Sequence, residues 1–459
     1  MSDPLTITEA AEAIRVGTLT PIDLLEQCLA RIDRYEERVK AWAYLDREGA
    51  REQADRLTAE LKSTGPRGPL HGIPVGIKDI IDVFDMPTGC GSKRWATSYA
   101  RRDATCVERL RQAGAVIVGK TVTTAYASFD PPPTRNPWNL DRTPGGSSSG
   151  SAAAVACGMC LGALATQTGG SITRPASYCG VYSLKPTYGR VSVDGVLPLA
   201  PSLDHVGVMA NCVRDLAILF QTICGRDDED WKSLSATVPD CIRSIDHVLN
   251  PGRSWELGFM FLGGKFADLV QPNVEEPYEQ FRQALRDREE ADTLRVRSVM
   301  PPAGFESISI DHHIIMGVEA AAYHAPRIAR DPDDYPPKIT ELINFGRKIP
   351  APAYHQSLER QRRASNTHHD LGSPYPLVTP ATTDVPGDLT STGNPAFNSP
   401  WSFLGYATIS LPVAWSADGM PVAVQLVGGL RNEIETFAHA AYLERAFPFD
   451  RRPLPLDYT

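Results

Sequence analysis

Two Gly-Gly-Ser segments constrain this chain of 459 residues more than any other feature of its sequence. Ser147 and Ser171 each follow a glycine pair, and a run of small apolar residues, 152–165, lies between them. Glycine tolerates positive φ values and lets backbone N–H groups approach a ligand closely. A serine on such a backbone can act as a nucleophile beside N–H groups that bind an oxyanion. The pattern therefore indicates acyl-transfer chemistry, and the run 152–165 is predicted to form a closely packed helix.

Acyl transfer by a serine also needs a base, and the sequence offers Lys78 for that role. No histidine lies near either serine along the chain, whereas Lys78 stands in the apolar run 72–81. A lysine base must be neutral, so burial has to lower its pKa below the usual value of about 10.4. The alternative interpretation is a lysine at a strand end that extends to solvent. The neighbouring Asp79 is interpreted as structural.

These segments resemble the signature of the amidase signature family. The resemblance rests on the Gly/Ser-rich segment 144–151, on the second serine 24 residues after Ser147, and on the Gly-Ile-Pro-x-x-x-Lys-Asp context of residues 72–79. It extends from about Leu5 to about Phe447. Three further segments of the chain match the family: 135–138, 185–191 and 421–428.

The resemblance implies a role for each candidate catalytic residue. Ser171 is the implied nucleophile and Lys78 the terminal base. Ser147 is the implied proton relay between them, and the family places a cis peptide bond before this serine. The alternative interpretation of the same residues is a strand-to-helix turn with a serine cap, next to a flexible Gly/Ser loop.

The same resemblance implies which groups surround the reacting carbonyl. The oxyanion hole is assigned to the backbone N–H groups of four residues: Thr168, Gly169, Gly170 and Ser171. Ala127 and Gly146 are predicted to contact the substrate.

Two residues beside the second serine depart from the commoner family pattern. Gln167 stands where many members have an aspartate, and the arginine that usually follows the nucleophile by two positions is shifted by one, to Arg174. These changes argue against an ion pair of the usual kind beneath the pocket.

Composition excludes several classes of protein. A net charge of −9 argues against a dedicated nucleic-acid binder. The sequence contains no apolar run of 18 residues, so we expect no membrane-spanning helix. The first residues lack the pattern of a signal peptide, so we expect a cytoplasmic protein. Cys157 and Cys160 have the CxxC spacing of metal or redox sites, but no second pair accompanies them, and the histidine pairs 312–313 and 368–369 lack metal-ligand spacing. We therefore expect neither a metal nor a cofactor.

Hydrophobic periodicity predicts an α/β fold. Thr20 and Pro21 indicate the start of a helix, and residues 51–61, 105–112 and 215–223 are predicted helices. The short apolar runs 75–83 and 115–118 are typical of buried strands. The alternation favours one large domain with a mixed central β-sheet covered by helices on both faces.

The chain is predicted to divide into four parts of one domain spanning residues 1–459. These are an N-terminal helical segment, 1–70; the signature core, 71–224; peripheral helices and loops that determine specificity, 225–375; and a C-terminal segment that completes the sheet, 376–459.

The leading functional hypothesis is hydrolysis of a carbon–nitrogen amide bond in a small molecule by the chain alone. Two alternatives stay open at this point: an amidohydrolase for carbamates or urea-like compounds, and the A-type subunit of a glutamine-dependent tRNA amidotransferase. No nucleic acid or membrane partner is expected. The oligomeric state is open, with a homodimer among the alternatives.

Overall fold

An eleven-stranded mixed sheet runs through the protein, and helices cover it. The structure, a computed structural model, describes residues 3–250, 255–289, 294–302, 304–367 and 375–457; His368 and His369 thus lie outside the described residues. The strands are β1 (Trp42–Leu45), β2 (Pro74–Lys78), β3 (Val116–Thr121), β4 (Gly162–Gln167), β5 (Tyr182–Lys185), β6 (His205–Ala210), β7 (Gly258–Leu262), β8 (Arg295–Val299), β9 (Leu377–Pro380), β10 (Thr408–Trp415) and β11 (Pro421–Val427).

Fourteen α-helices lie within the described residues. They are α1 (Ile7–Arg15), α2 (Pro21–Val39), α3 (Arg47–Thr64), α4 (Thr105–Gln112), α5 (Ser149–Ala156), α6 (Thr173–Cys179), α7 (Val213–Ile223), α8 (Cys241–Leu249), α9 (Pro272–Asp287), α10 (Ile308–Arg330), α11 (Pro337–Gly346), α12 (Ala351–Thr367), α13 (Ser399–Leu404) and α14 (Glu433–Ala446).

The order of the strands is β1-β3-β2-β4-β6-β5-β10-β11-β9-β7-β8. β2 is parallel to both β3 and β4, and β7 is parallel to β8 and β9, while the other neighbours are antiparallel. Successive side chains of a strand point to opposite faces of the sheet. Accordingly Ile117 joins one hydrophobic cluster, whereas its neighbours Val116 and Val118 join the other. A mixed sheet with both faces covered is therefore confirmed.

Local sequence signals predicted several helices well. The Thr20 hydroxyl accepts a hydrogen bond from Asp23 N, and Pro21 is the first residue of α2. α4 spans the predicted residues 105–112, and α7 begins two residues before its predicted start. Each of these helices buries one apolar face, which is the pattern that periodicity detects.

The prediction of one helix over 152–165 is wrong. α5 covers only Ser149–Ala156, and β4 occupies the second half of the run. Gly158 lies between them with a φ of 67°, a left-handed conformation that glycine adopts without a steric penalty and that ends a helix. All residues of the run are buried. The sequence therefore shows neither a helical nor a strand period that could reveal the boundary between α5 and β4.

The segment 225–375 contains two strands in addition to the predicted helices and loops. β7 and β8 form one edge of the sheet next to β9. β10 and β11, from the C-terminal segment, lie near the middle of the sheet, where β10 pairs with β5. The sheet is thus assembled from distant parts of the chain.

All nine cysteines are free thiols, and eight of them are buried. Burial raises the pKa of the Cys157 thiol to about 12. Among the described residues, no helix has both the length and the apolar character that a membrane crossing requires.

Candidate active site

Lys78 is the last residue of β2, a strand between two parallel neighbours. Its side chain is fully buried. The adjacent Asp79 faces another environment: its carboxylate pairs with Lys120 Nζ at 3.2 Å and accepts a hydrogen bond from Gly89 N at 3.1 Å. Asp79 therefore ties β3 to the loop around Gly89, which agrees with a structural role.

The Lys78 amine lies between two hydroxyl groups. Its Nζ is 2.7 Å from Ser147 Oγ and 2.7 Å from Thr166 Oγ1. Thr166 stands on β4, whose residue Leu164 pairs with Ile77 of β2, so the parallel pairing of these strands brings Thr166 beside Lys78. Sequence reasoning did not identify Thr166, since its role depends on which strands are neighbours.

Burial lowers the pKa of Lys78 well below its usual value, because the charged form loses its hydration. The charge of Asp204 opposes this effect by raising the pKa. Burial in turn raises the pKa of Asp204 to about 7, while hydrogen bonds from Thr168 and from two backbone N–H groups lower it. The lowered pKa favours the neutral amine, which is the form that can accept a proton.

The Gly/Ser-rich segment lies against the second serine, and one of its own side chains fixes its turn. The peptide bond between Gly146 and Ser147 is cis, as the family resemblance implied. Ser149 Oγ donates to Gly145 O at 2.6 Å. Ser148 N donates to Ser171 O at 3.3 Å. The two serine segments are therefore adjacent in space, and Ser171 is 8 % exposed.

The backbone of 168–171 leaves N–H groups available at this point. Within the described part of the chain, the N–H groups of Gly169, Gly170 and Ser171 have no acceptor. A Cβ on Gly170 would lie 2.6 Å from Asn398 Oδ1, so packing at this position excludes a side chain. Three successive free N–H groups beside a serine are what an oxyanion hole requires.

Gln167 and Arg174 serve this loop without an ion pair. Gln167 Oε1 accepts from the backbone N–H groups of Ile172 and Thr173 at 2.8 and 3.0 Å, and so fixes the start of α6. The buried Arg174 donates to Gly146 O at 2.8 Å, and burial lowers its pKa to about 10. Among the described residues no carboxylate forms an ion pair with Arg174.

Two of the other segments that match the family, 135–138 and 421–428, form hydrogen bonds with the backbone near the two serine segments. Asn136 Nδ2 donates to Thr143 O at 3.1 Å and to Tyr178 O at 2.9 Å. Gln425 Nε2 donates to Phe397 O at 2.8 Å, next to the Asn398 that packs on Gly170. These polar side chains form hydrogen bonds with buried backbone groups. Their role is therefore to stabilise the loops, and it does not depend on contact with substrate.

A cavity of about 770 Å³ has wall residues that contact the loop, although none of the described residues that line it belongs to 168–171. Its wall includes His312, whose Nε2 is 2.9 Å from Thr168 O, and Ser399, whose Oγ would lie 3.4 Å from a Cβ on Gly169. His312 belongs to α10, in a part of the chain without family motifs, and no sequence pattern marks it.

The two predicted substrate contacts lie close to the site. Gly146 packs against Thr392, whose Cγ2 would be 2.8 Å from an added Cβ. Ala127 is buried in a turn with a φ of 58°, two residues before Phe129, which lines the cavity. Their contact with substrate stays a prediction, as do the catalytic roles of the three principal residues. In the described ranges no three histidine, cysteine, aspartate or glutamate side chains converge as metal ligands.

Comparison with known proteins agrees with this geometry. The model of the family named Amidase matches residues 23–370. A relative from Roseiflexus sp. (strain RS-1), the A-type subunit of a glutamyl-tRNA(Gln) amidotransferase, is 38 % identical over 368 residues, which cover 78 % of this chain and 70 % of that protein.

Solved structures match nearly the whole chain. The native peptide amidase from Stenotrophomonas maltophilia has a TM-score of 0.83 at 27 % identity, covering 98 % of both chains. A chain from a vestigial protein complex that bears on the origins of an s-triazine catabolic enzyme has a TM-score of 0.88 at 28 % identity, covering 96 % of this chain and 98 % of that one. This protein therefore belongs to the amidase signature family, whose hydrolases cleave carbon–nitrogen amide bonds.

Proposed function

We propose that this chain hydrolyses small amides through an acyl-enzyme on Ser171, with Ser147 as proton relay and Lys78 as base. The observation that carries the proposal is the fully buried Lys78 amine, 2.7 Å from Ser147 Oγ and beside a loop with free N–H groups. A buried amine without a carboxylate partner at bonding distance is costly for a merely structural lysine. The cost is understandable if the neutral form is the one used.

The proposed reaction has the following steps, of which the contact between Lys78 Nζ and Ser147 Oγ supports the first. Neutral Lys78 takes the hydroxyl proton of Ser147 while Ser147 Oγ takes that of Ser171. Ser171 Oγ then forms a bond to the amide carbon, and the carbonyl oxygen gains a negative charge that the N–H groups of 168–171 bind. The carbon–nitrogen bond breaks as the proton returns through Ser147 to the leaving nitrogen. Water, activated by the same relay, hydrolyses the ester on Ser171.

A second candidate function rests on the similarity to an amidotransferase subunit. A glutamine-dependent enzyme must bind the ammonium and carboxylate groups on the α carbon of glutamine, which calls for charged partners in the pocket. The cavity beside the proposed oxyanion hole has a mainly apolar wall instead, with Phe129, Phe266 and Met316 among its residues. Although Glu306 also lies in this wall, its composition favours a neutral, apolar amide over glutamine.

The test is an activity panel with the purified single chain. We expect turnover of simple primary amides, measured as ammonia release, and none with Ser171→Ala as the matched blank. Glutamine, a carbamate and a urea derivative complete the panel, so that each alternative has its own substrate. Activity on glutamine alone, or only after addition of partner subunits, would favour the amidotransferase. Size-exclusion chromatography with light scattering on the same sample measures whether the active species is a homodimer.

A further inference from the structure

Two side chains from outside the serine segments form hydrogen bonds with carbonyl groups of the loop 168–171. His312 Nε2 lies 2.9 Å from Thr168 O, and Ser402 Oγ donates to Gly169 O at 2.9 Å. Both side chains are buried. A buried carbonyl that loses its donor cannot easily take one from water, so the loop depends on these two contacts.

The chemistry of the partners fixes the proton positions in both contacts. A carbonyl oxygen only accepts, so His312 Nε2 carries a proton and donates it. Burial lowers the pKa of His312 to about 4, so the imidazole is neutral near pH 7 and its single proton is on Nε2. The Ser402 hydroxyl also has one proton. Because Gln167 Nε2 donates to Ser402 Oγ at 3.1 Å, the hydroxyl proton is left for Gly169 O.

Both donors stand on helices that other parts of the fold hold in place. His312 belongs to α10 and Ser402 to α13, and these two helices pack against each other. Asp311, the neighbour of His312, accepts hydrogen bonds from Ser357 Oγ at 2.8 Å and Arg360 Nε at 2.7 Å, which tie α10 to α12. Groups carried by supported helices are held more precisely than groups carried by loops.

Each donor orients an N–H group through the peptide to which it is bonded. Both peptides are trans, and in a trans peptide the C=O and N–H groups point in opposite directions. A donor on Thr168 O therefore orients the N–H of Gly169 away from His312. A donor on Gly169 O likewise orients the N–H of Gly170 away from Ser402. Glycine permits many peptide orientations, so the donors select one of them.

We propose that His312 and Ser402 are positioning residues, which fix the planes of these two peptides and so direct their N–H groups to the oxyanion. The inference rests on the function proposed above and adds two residues to it. The third free N–H group, that of Ser171, is fixed without a side chain, because Gly170 O accepts from Arg174 N at 3.0 Å at the start of α6. Loss of one donor should therefore misplace one N–H group and leave the rest of the loop in position.

The experiment removes the donors one at a time and measures kcat and KM for a primary amide that the wild type hydrolyses. His312→Phe keeps a ring and loses the donor, Ser402→Ala loses the hydroxyl, and His312→Gln restores an N–H donor. We expect kcat to fall about 100-fold in His312→Phe and in Ser402→Ala, the scale of a small misplacement of catalytic groups. KM should stay within about threefold of its wild-type value, and His312→Gln should recover part of kcat.

The comparison of the two residues separates the loop from the cavity. His312 also lines the cavity, whereas the described lining does not include Ser402. A similar loss of kcat in both variants therefore comes from the loop that they share. Ser402→Ala is also the smaller change, and it tests the proposal by itself if His312→Phe does not fold.

A trifluoromethyl ketone with the same carbon chain as the amide reports on the oxyanion hole directly. Ser171 Oγ adds to the ketone carbon, its proton leaves through the proposed relay, and the former carbonyl oxygen becomes an oxyanion. The inhibition constant of the ketone should rise in parallel with the loss of kcat in His312→Phe and Ser402→Ala. The corresponding trifluoromethyl alcohol forms no adduct, and its inhibition constant should stay unchanged.

His439→Phe is the matched control for the loss of a buried histidine. His439 is buried in α14, burial lowers its pKa to about 4, and its Nε2 accepts from Gly258 N at 3.3 Å. The lost hydrogen bond lies between α14 and β7 rather than at the loop. His439→Phe should therefore lower the melting temperature, while kcat per active site, counted by fluorophosphonate titration, and the ketone affinity stay unchanged.

A purely structural role would make His312→Phe and Ser402→Ala behave like this control. Unchanged kcat per active site in both variants, or a ketone affinity that does not follow kcat, would overturn the positioning role. Failure of the proposed function looks different, since then the wild type hydrolyses no amide or turnover survives in Ser171→Ala.

Discussion

The two serine segments and the cavity wall lie side by side but are stabilised in opposite ways. In the segments, polar side chains satisfy buried backbone groups, as Gln167 and Arg174 do. In the wall, aromatic rings pack on one another, as Phe266 does with Phe305 and Phe397. Hydrogen bonds depend on direction as well as distance, whereas apolar packing is non-directional and defines a volume. Changes in the segments should therefore affect the chemical step, and changes in the wall should affect the choice of substrate.

The largest expected effect comes from the nucleophile itself. Ser171→Ala should lower kcat/KM at least about 10⁴-fold, since no acyl-enzyme can form. Ser177→Ala is a matched control, because the buried Ser177 Oγ in α6 has no hydrogen-bond partner among the described residues. We expect the control to keep full activity. Circular dichroism should show that both variants are folded. A folded Ser171→Ala enzyme with activity above about 1 % would contradict the assignment.

Two fully buried lysines separate catalysis from stability. Lys78→Met should lower kcat/KM by about 10³-fold or more, because the relay loses its base, and should leave the melting temperature unchanged or higher. Lys120→Met should instead lower the melting temperature and leave kcat/KM largely unchanged. It leaves the Asp79 carboxylate buried without its lysine partner, which should lower the free energy of unfolding by about 3–5 kcal/mol. Kinetics and thermal unfolding of both variants measure the contrast. The account is contradicted if Lys78→Met is the less stable of the two variants, or if Lys78→Met keeps wild-type kcat/KM.

A smaller effect is expected from pH. Lys78 acts only when deprotonated, so kcat/KM should fall as the pH drops through its pKa, which burial sets well below the usual value. The Asp204 carboxylate raises the pKa of Lys78. Asp204→Asn should therefore lower it and move the acidic limb to lower pH. Rate profiles from about pH 5 to 10 for both proteins measure the shift, and a limb that moves to higher pH would contradict the sign.

The smallest effect is expected from thiol modification. Eight of the nine cysteines are buried, and burial raises the pKa of thiols such as Cys106 and Cys157 to about 12. Thiolate is the reactive form, so brief treatment with iodoacetamide should leave most of the activity. Rapid inactivation, together with carboxymethylation of a single cysteine by mass spectrometry, would require a cysteine in the mechanism.

The sequence predicted the parts of the site that depend on motifs and missed those that depend on pairing. Lys78, Ser147 and Ser171 could be proposed because the motifs that contain them resemble those of the amidase signature family. Thr166 could not, since its contact with Lys78 arises from the pairing of β2 with β4. His312 approaches Thr168 from a helix more than a hundred residues away, in a segment without a motif.

The fold shows the same limit. The end of α4 follows from local periodicity, whereas the boundary between α5 and β4 falls in a run of small residues that are buried on every side. Such a run has no polar face, so neither the helical nor the strand period stands out. β7 and β8 likewise become strands through their place beside β9.

Covalent labelling tests the central claim most directly. Wild-type protein is treated with a fluorophosphonate, and the adduct is located by peptide mass spectrometry, with Ser171→Ala and Lys78→Met treated in parallel. The account predicts one phosphonyl group, on Ser171, in the wild type, none in Ser171→Ala, and a labelling rate lower by about 100-fold or more in Lys78→Met because its serine is not activated. Labelling of another residue, or equal rates in wild type and Lys78→Met, would contradict it.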